Sequence, residues 1–243
     1  MRKLLKGVHQ FQMNYFSSHR EFFEQLSQGQ HPRILFITCC DSRIDPNLIT
    51  QTEPGELFII RNVGNIVPPF GAHANAEAAA IEYAIDVLGI KEIVVCGHSH
   101  CGAISGLLKG NRLSDHLPSV HAWLRYAEST RRVVLENYQE LEGEELLNAA
   151  IEEHVLIQIE NLRTYPSVHA KLYRGQLNIH AWVYKIETGG IIVYSAERCH
   201  VRADHESLFT ELKIDELELD DNSDHHHFDS TAASASIAVE SHL

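Results

Sequence analysis

The 243-residue sequence predicts an α/β fold: a mostly parallel central β-sheet flanked by helices, with an N-terminal helical arm and a final antiparallel strand. Three observations carry this. Continuous apolar runs at Arg33-Ile34-Leu35-Phe36-Ile37-Thr38, Leu57-Phe58-Ile59-Ile60 and Glu92-Ile93-Val94-Val95-Cys96 suit strands buried on both faces. Segments with helical spacing alternate with these runs, as crossover connections between parallel strands require. Asn178–Lys185 and Ile191–Tyr194, joined through Thr188-Gly189-Gly190, read as a strand pair with a glycine turn.

The elements follow in order. From Leu4 to Leu26 apolar and aromatic residues recur at helical spacing, giving one or two amphipathic helices with a break near Ser17-Ser18. Such a stripe packs on its own domain or covers a partner subunit. The first strand ends in Cys39-Cys40, and Pro54-Gly55 introduces the second. Alanine-rich Ala74–Leu88 reads as a helix stopped by Gly89. The third strand ends at Gly97, and Pro118–Asn137 and Glu144–Tyr165 read as helices. The organisation is therefore an arm over 1–30, a main domain over 31–203 and an acidic extension over 204–243, the last mobile or partner-binding.

Composition narrows the function. At 44% hydrophobic and 22% charged residues, the chain can bury a sizeable core and remain soluble. No apolar run approaches the roughly 18 residues that cross a bilayer. The start, Met1-Arg2-Lys3-Leu4-Leu5, has no sustained apolar stretch, so no secretory signal is read. Five cysteines form an odd set, which argues against a disulfide framework and for a reducing, intracellular setting where thiolates bind metal. Of the net charge of −13, residues 204–243 supply −10 through eleven acids and the single base Lys213. Neither part has the basic face of a nucleic-acid binder.

Two motifs carry chemistry, each directly after a buried strand: Cys39-Cys40-Asp41-Ser42-Arg43 and His98-Ser99-His100-Cys101. Sites in open α/β sheets assemble outside the carboxyl ends of the strands, so the two motifs can meet. Cys39, His98 and Cys101 then make a Cys₂His set, whose softness favours zinc. Asp41 is the nearest candidate for a fourth ligand. In an extended segment Asp41 and Arg43 project to one side, where the Arg fork holds the carboxylate and leaves the fourth position open for catalysis. A closed structural zinc with Asp41 as ligand is the alternative. Cys40 and Cys96 read as packed thiols, His100 as a rim residue, and Cys199 has no motif around it. His225-His226-His227 reads as a solvated tract.

These motifs, with Arg61-Asn62-Val63-Gly64-Asn65-Ile66-Val67-Pro68-Pro69 between them, closely resemble β-class carbonic anhydrases over about Gln30 to Ser195. The resemblance implies reversible hydration of carbon dioxide to bicarbonate at one zinc per chain, held by Cys39, His98 and Cys101. It implies a catalytic dyad of Asp41 and Arg43, and a dimer, or a multiple of dimers, embraced by the N-terminal helices. In the plant-like branch a glutamine lies nine residues before the first zinc cysteine, here Gln30. Its amide is expected to stabilise the developing bicarbonate. The apolar carbon dioxide pocket of that branch corresponds to Phe58, Val63 and Tyr83, with Gly102 beside it. A histidine that plant members carry four residues after the tyrosine is replaced by Val87, which leaves His100, Tyr83 or buffer to pass the proton. The acidic extension makes the chain resemble most the cyanobacterial members housed in carboxysomes, where they supply carbon dioxide for fixation and contact a scaffold protein. The rival readings are a hydrolase of carbonyl sulfide or carbon disulfide on the same scaffold and a zinc-bearing assembly protein. A thiol-redox role lacks the Cys-x-x-Cys pair.

Overall fold

The computed structural model describes residues 1–72, 76–110, 114–194 and 209–212. Cys199, His225-His226-His227 and all of the extension except 209–212 lie outside these residues. The apolar runs form one six-stranded sheet. Ile34–Cys39 (β1), Leu57–Asn62 (β2), Glu92–His98 (β3) and Asn178–Tyr184 (β4) run parallel to their neighbours. Ile191–Tyr194 (β5) and Phe209–Glu211 (β6) add antiparallel strands, giving the order β2-β1-β3-β4-β5-β6. The antiparallel end therefore has two strands, where the sequence predicts one.

β6 comes from the segment assigned to the extension. Phe209 is buried in the core and its ring meets Tyr194 at 6.0 Å, so a single anchor among acids was enough to extend the sheet. Residues Met1–Leu212 accordingly form one compact unit.

Strand alternation sorts the core. Leu35, Ile37, Ile93 and Val95 pack in the main cluster, while Phe36, Val94 and Cys96 turn to the opposite face with Trp182. The parallel register sets Cys39 opposite Asn62, Thr38 opposite Cys96 and His98 opposite Tyr184, so β1, β2 and β3 end at one level.

Helices cover the main face. The N-terminal stretch is Arg2–Gln10 (α1), a wider-wound turn at Phe11–Phe16 and Arg20–Leu26 (α2), with the break at His19, just past Ser17-Ser18, which stay helical. Pro46–Thr50 (α3) is capped by the Asp45 side chain. Ala76–Glu82 (α4) passes into a π-turn at Tyr83–Val87, then stops at Gly89 in the left-handed region. Gly102–Lys109 (α5), Pro118–Leu124 (α6), Glu128–Asn137 (α7), Gly143–Arg163 (α8) and Pro166–Tyr173 (α9) follow. α3 and α9 were not predicted, being short and lacking two full turns of apolar period.

α8 is the longest helix and buries Ile151, Val155, Ile159 and Leu162. It lies close to the end of β3 because residue 97 is glycine: a Cβ there would stand 2.8 Å from Val155 Cγ2 and 3.3 Å from Ile151 Cγ2. That approach brings α8 beside the loop 63–70 that follows β2.

Candidate metal centre

Three strand-end residues meet. The ligating atoms of Cys39, His98 and Cys101 lie within 4.8 Å of one another, and all three residues are buried. Cys39 is the last residue of β1 and His98 the last of β3. Cys101 immediately precedes α5. His100 takes φ 54, which turns the chain from the strand into that helix.

The donor set fits a soft cation. His98 Nδ1 lies 2.9 Å from the Ser99 carbonyl, which can only accept, so Nδ1 carries the proton and Nε2 presents its lone pair. That Nε2 is buried without a hydrogen-bond partner, an arrangement a bound metal explains. Cys39 ionises well below the usual thiol range, chiefly because the Cys101 thiol donates to its sulfur, with help from the Gly64 and Asp41 backbone N–H groups against burial. The pair shares one charge, and Cys101 is held up as a thiol by that hydrogen bond and by burial. A divalent cation between the sulfurs relieves the repulsion of two thiolates.

Asp41 stands beside this set without belonging to it. Arg43 Nε donates to Oδ1 at 2.9 Å, Arg43 Nη2 to Oδ2 at 2.8 Å, and the Arg43 N–H to Oδ1 at 3.0 Å. This clamp holds the Asp41 carboxyl well below the usual carboxylate range. Oδ2 lies 4.0 Å from His98 Nε2. The dyad forms in a turn, closed by the Ile44 N–H on the Asp41 carbonyl at 3.0 Å, and not in the extended segment expected. The turn is fixed from β2: Arg61 donates to the carbonyls of Cys39, Asp41 and Ile44 at 3.2, 2.9 and 2.8 Å.

The other predicted residues are more scattered. Val63 lies next to Gly64, whose N–H meets Cys39 Sγ at 3.3 Å, and exposed Gly102 opens α5. Phe58 and Tyr83 pair, with ring centroids 6.2 Å apart. Phe58 is opposite Leu35, four positions before Cys39. At about 3.3 Å per residue it sits roughly 13 Å along the sheet from the metal ligands. Gln30 is exposed, between α2 and β1. Phe58, with Tyr83 against it, stands near the start of β2 and Gln30 precedes β1, away from the strand ends that carry Cys39 and His98, so one chain does not gather the whole predicted pocket around the metal ligands. His100 is a rim residue, with its ring nitrogens 3.7 Å from Glu144 and 3.6 Å from Glu187. Cys96 is a packed thiol, its pKa pushed up to about 12 by burial. Cys40 is exposed, not packed, because the chain has left the sheet there.

The carbonic anhydrase family pattern matches residues 34–191. A solved structure of the β-carbonic anhydrase CcaA is similar over 87% of this chain and 99% of that one, at TM-score 0.82 and 54% identity. The chain belongs to the β-class carbonic anhydrase family. A carbonic anhydrase from a Synechocystis species is 53% identical over 221 residues, 91% of this chain and 78% of that protein. One from Synechococcus elongatus is 55% identical over 195 residues, 80% and 72% of the two chains. Two tetrameric β-carbonic anhydrases from Sordaria macrospora provide a more distant structure, at TM-score 0.72 and 29% identity over 79% of this chain and 95% of that one.

In this β-class family member, one face of α8 does something the sequence reading missed. His154, Gln158 and Asn161 recur on it at spacings of four and three, and with Thr164 and Tyr165 just past its end they meet the backbone of loop 64–70 in turn. His154 Nε2 lies 2.7 Å from the Gly64 carbonyl, the Gln158 Oε1 accepts from the Val67 N–H at 2.9 Å, and Asn161 Nδ2 donates to the Val67 carbonyl at 2.8 Å. The Tyr165 hydroxyl reaches the Pro68 carbonyl and the Thr164 hydroxyl accepts from the Phe70 N–H, both at 2.8 Å. Polar residues at helical spacing inside an apolar helix were the available signal.

His154 is buried and uncharged, its pKa lowered to about 4 by burial. In the unfolded chain it titrates near the ordinary value, about 6.5. Folding therefore excludes a proton that the unfolded chain takes up as pH falls through 6.5, and stability drops towards pH 4. Between pH 6.5 and 5 the loss is about 2 kcal/mol. Denaturant unfolding of zinc-saturated protein across this range measures it, and His154→Gln flattens the slope by that amount.

Proposed function

We propose that this chain is a zinc-dependent carbonic anhydrase that interconverts carbon dioxide and bicarbonate, with one zinc per chain on Cys39, His98 and Cys101. The observation that carries the reading is the buried Cys₂His set beside a carboxylate that Arg43 holds by both oxygens. Zinc there supplies a water acidified from a pKa of about 15.7 towards neutrality and a Lewis acid for the substrate oxygen.

The chain's own residues do the rest. Arg43 keeps Asp41 ionised and fixes its direction, so Asp41 accepts the hydrogen bond of the attacking water and aims the oxygen lone pair at carbon dioxide. Arg61 holds the turn that carries both residues. Val63 and Gly102 border the ligands. Phe58 and Tyr83 offer the apolar wall that a substrate without a net dipole requires, and Gln30 an amide for the developing bicarbonate. Their separation from this chain's own ligands supports a dimer in which they complete the site of a second copy. Leu4, Leu5, Val8 and Phe11, exposed on the N-terminal helices, favour the same assembly. Val87 carries no titratable group, so the proton leaves through buffer or a rim residue such as His100.

High identity to cyanobacterial carbonic anhydrases and the acidic extension favour residence in carboxysomes with a scaffold partner. No helix among the described residues is long and apolar enough to cross a membrane. Deleting 213–243, which spares β6, leaves hydration intact and abolishes co-purification with the scaffold; retained co-purification rejects the extension as the contact.

Stopped-flow measurement of carbon dioxide hydration, beside hydrolysis of carbonyl sulfide, tests the activity. Fast hydration with little sulfide release is expected. Carbonyl sulfide turned over in preference to carbon dioxide gives the site to the sulfur substrate.

A further inference from the structure

The sulfur of Cys39 receives a backbone hydrogen bond from Gly64, at 3.3 Å. A glycine is the residue least able to hold that direction by itself. Gly64 has φ 82, and no larger residue fits, because a Cβ would stand 3.0 Å from Ala103 Cβ. Something else must keep its peptide groups from turning.

Two side chains do so, one on each side. The N–H of Gly64 and the carbonyl of Val63 belong to the same peptide group, and Trp123 Nε1 donates to that carbonyl at 2.8 Å. The carbonyl of Gly64 belongs to the next peptide group, and His154 Nε2 meets it at 2.7 Å. A carbonyl only accepts, so His154 carries its proton on Nε2. Its Nδ1 is then the acceptor, with the Thr130 hydroxyl at 3.0 Å and the Gln158 amide nitrogen at 3.3 Å. Each donor is itself fixed: Trp123 packs against the small cluster of Ile66, Leu107, Leu124 and Ala127, and His154 is 1% exposed within α8.

We propose that Trp123 and His154 are positioning residues of the metal centre, holding the two peptide groups that flank Gly64 so that its N–H points at the Cys39 sulfur. The Trp123 bond also polarises the peptide whose N–H is donated, since hydrogen bonds in series strengthen one another. A thiolate that accepts such a bond carries less charge and holds its metal in one orientation, as partners behind the ligands of metal sites do. The inference rests on Cys39 being a zinc ligand.

The test is zinc release to a chelator from reduced, full-length, zinc-loaded protein, on variants whose far-ultraviolet circular dichroism and cooperative unfolding match the parent. Trp123→Phe keeps an aromatic ring against that cluster and removes the indole N–H with the five-membered ring that carries it. His154→Leu removes the donor to Gly64, and His154→Gln replaces it with an amide of similar reach. Trp123→Phe and His154→Leu are expected to release zinc at least about 10-fold faster, the usual cost of losing a partner behind a ligand, with His154→Gln close to the parent. Cadmium-substituted protein adds a direct readout: the Gly64 amide proton couples to the metal through the sulfur in the parent and loses that coupling in Trp123→Phe. Folded Trp123→Phe that releases zinc at the parent rate and keeps the coupling overturns the proposal, and this variant decides even if His154→Leu does not fold. A parent protein that binds no zinc overturns instead the metal reading on which the proposal stands.

Discussion

Asp41→Asn lowers the turnover of carbon dioxide hydration by about 10²-fold or more while zinc stays bound, as expected for removing a group that steers a proton in the transition state. The side-chain shape is nearly conserved, so the effect isolates charge. The carboxylate accepts three hydrogen bonds from Arg43, two from the guanidinium and one from the backbone. An amide offers one oxygen and points an N–H₂ at a guanidinium that can only donate. The clamp loosens, and the attacking water loses its acceptor. Stopped-flow turnover paired with metal analysis checks this. Near-parental turnover removes Asp41 from the mechanism, and loss of zinc makes it a ligand.

Cys101→Ala removes the metal and the activity together. Cys101 is 1% exposed at the start of α5, with its sulfur among the buried ligating atoms. No carboxylate of the described residues stands in that set to replace it, and Asp41 is already engaged by Arg43. Two ligands cannot hold zinc in competition with water as three do, so zinc content falls towards zero and hydration towards the uncatalysed rate. The fold survives, because truncating a buried thiol costs about the transfer of a small apolar group. Zinc retained at one per chain in Cys101→Ala moves the site elsewhere.

Much of this was legible in the sequence, and the reason is geometric. Parallel strands buried on both faces write themselves as apolar runs, and a parallel register places their ends at one level, so Cys39 and His98 could be set together before any contact was known. The Asp41–Arg43 pair is local, two residues apart, and needs only a short segment to form. What escaped was contact made through the backbone over long separations. His154 meets Gly64 across 90 residues and Trp123 meets Val63 across 60, each recognising a carbonyl that every residue carries. Nothing in the loop's own side chains announces such a partner. β6 escaped for a different reason: Phe209 is its one deeply buried side chain, set in an acid-rich segment whose composition argues against a strand. The pocket residues mark a third case. Phe58, paired with Tyr83, lies four strand positions before the level of Cys39, and Gln30 precedes β1, a separation that motif spacing alone does not convey.

The most direct measurement is carbon dioxide hydration followed through metal removal and return, on reduced full-length protein with zinc counted at each stage. The account predicts fast hydration at one zinc per chain, loss in proportion to zinc extracted by a chelator, and recovery on adding zinc back. Hydration that persists in zinc-free protein, or its absence at one zinc per chain on an intact fold, contradicts it.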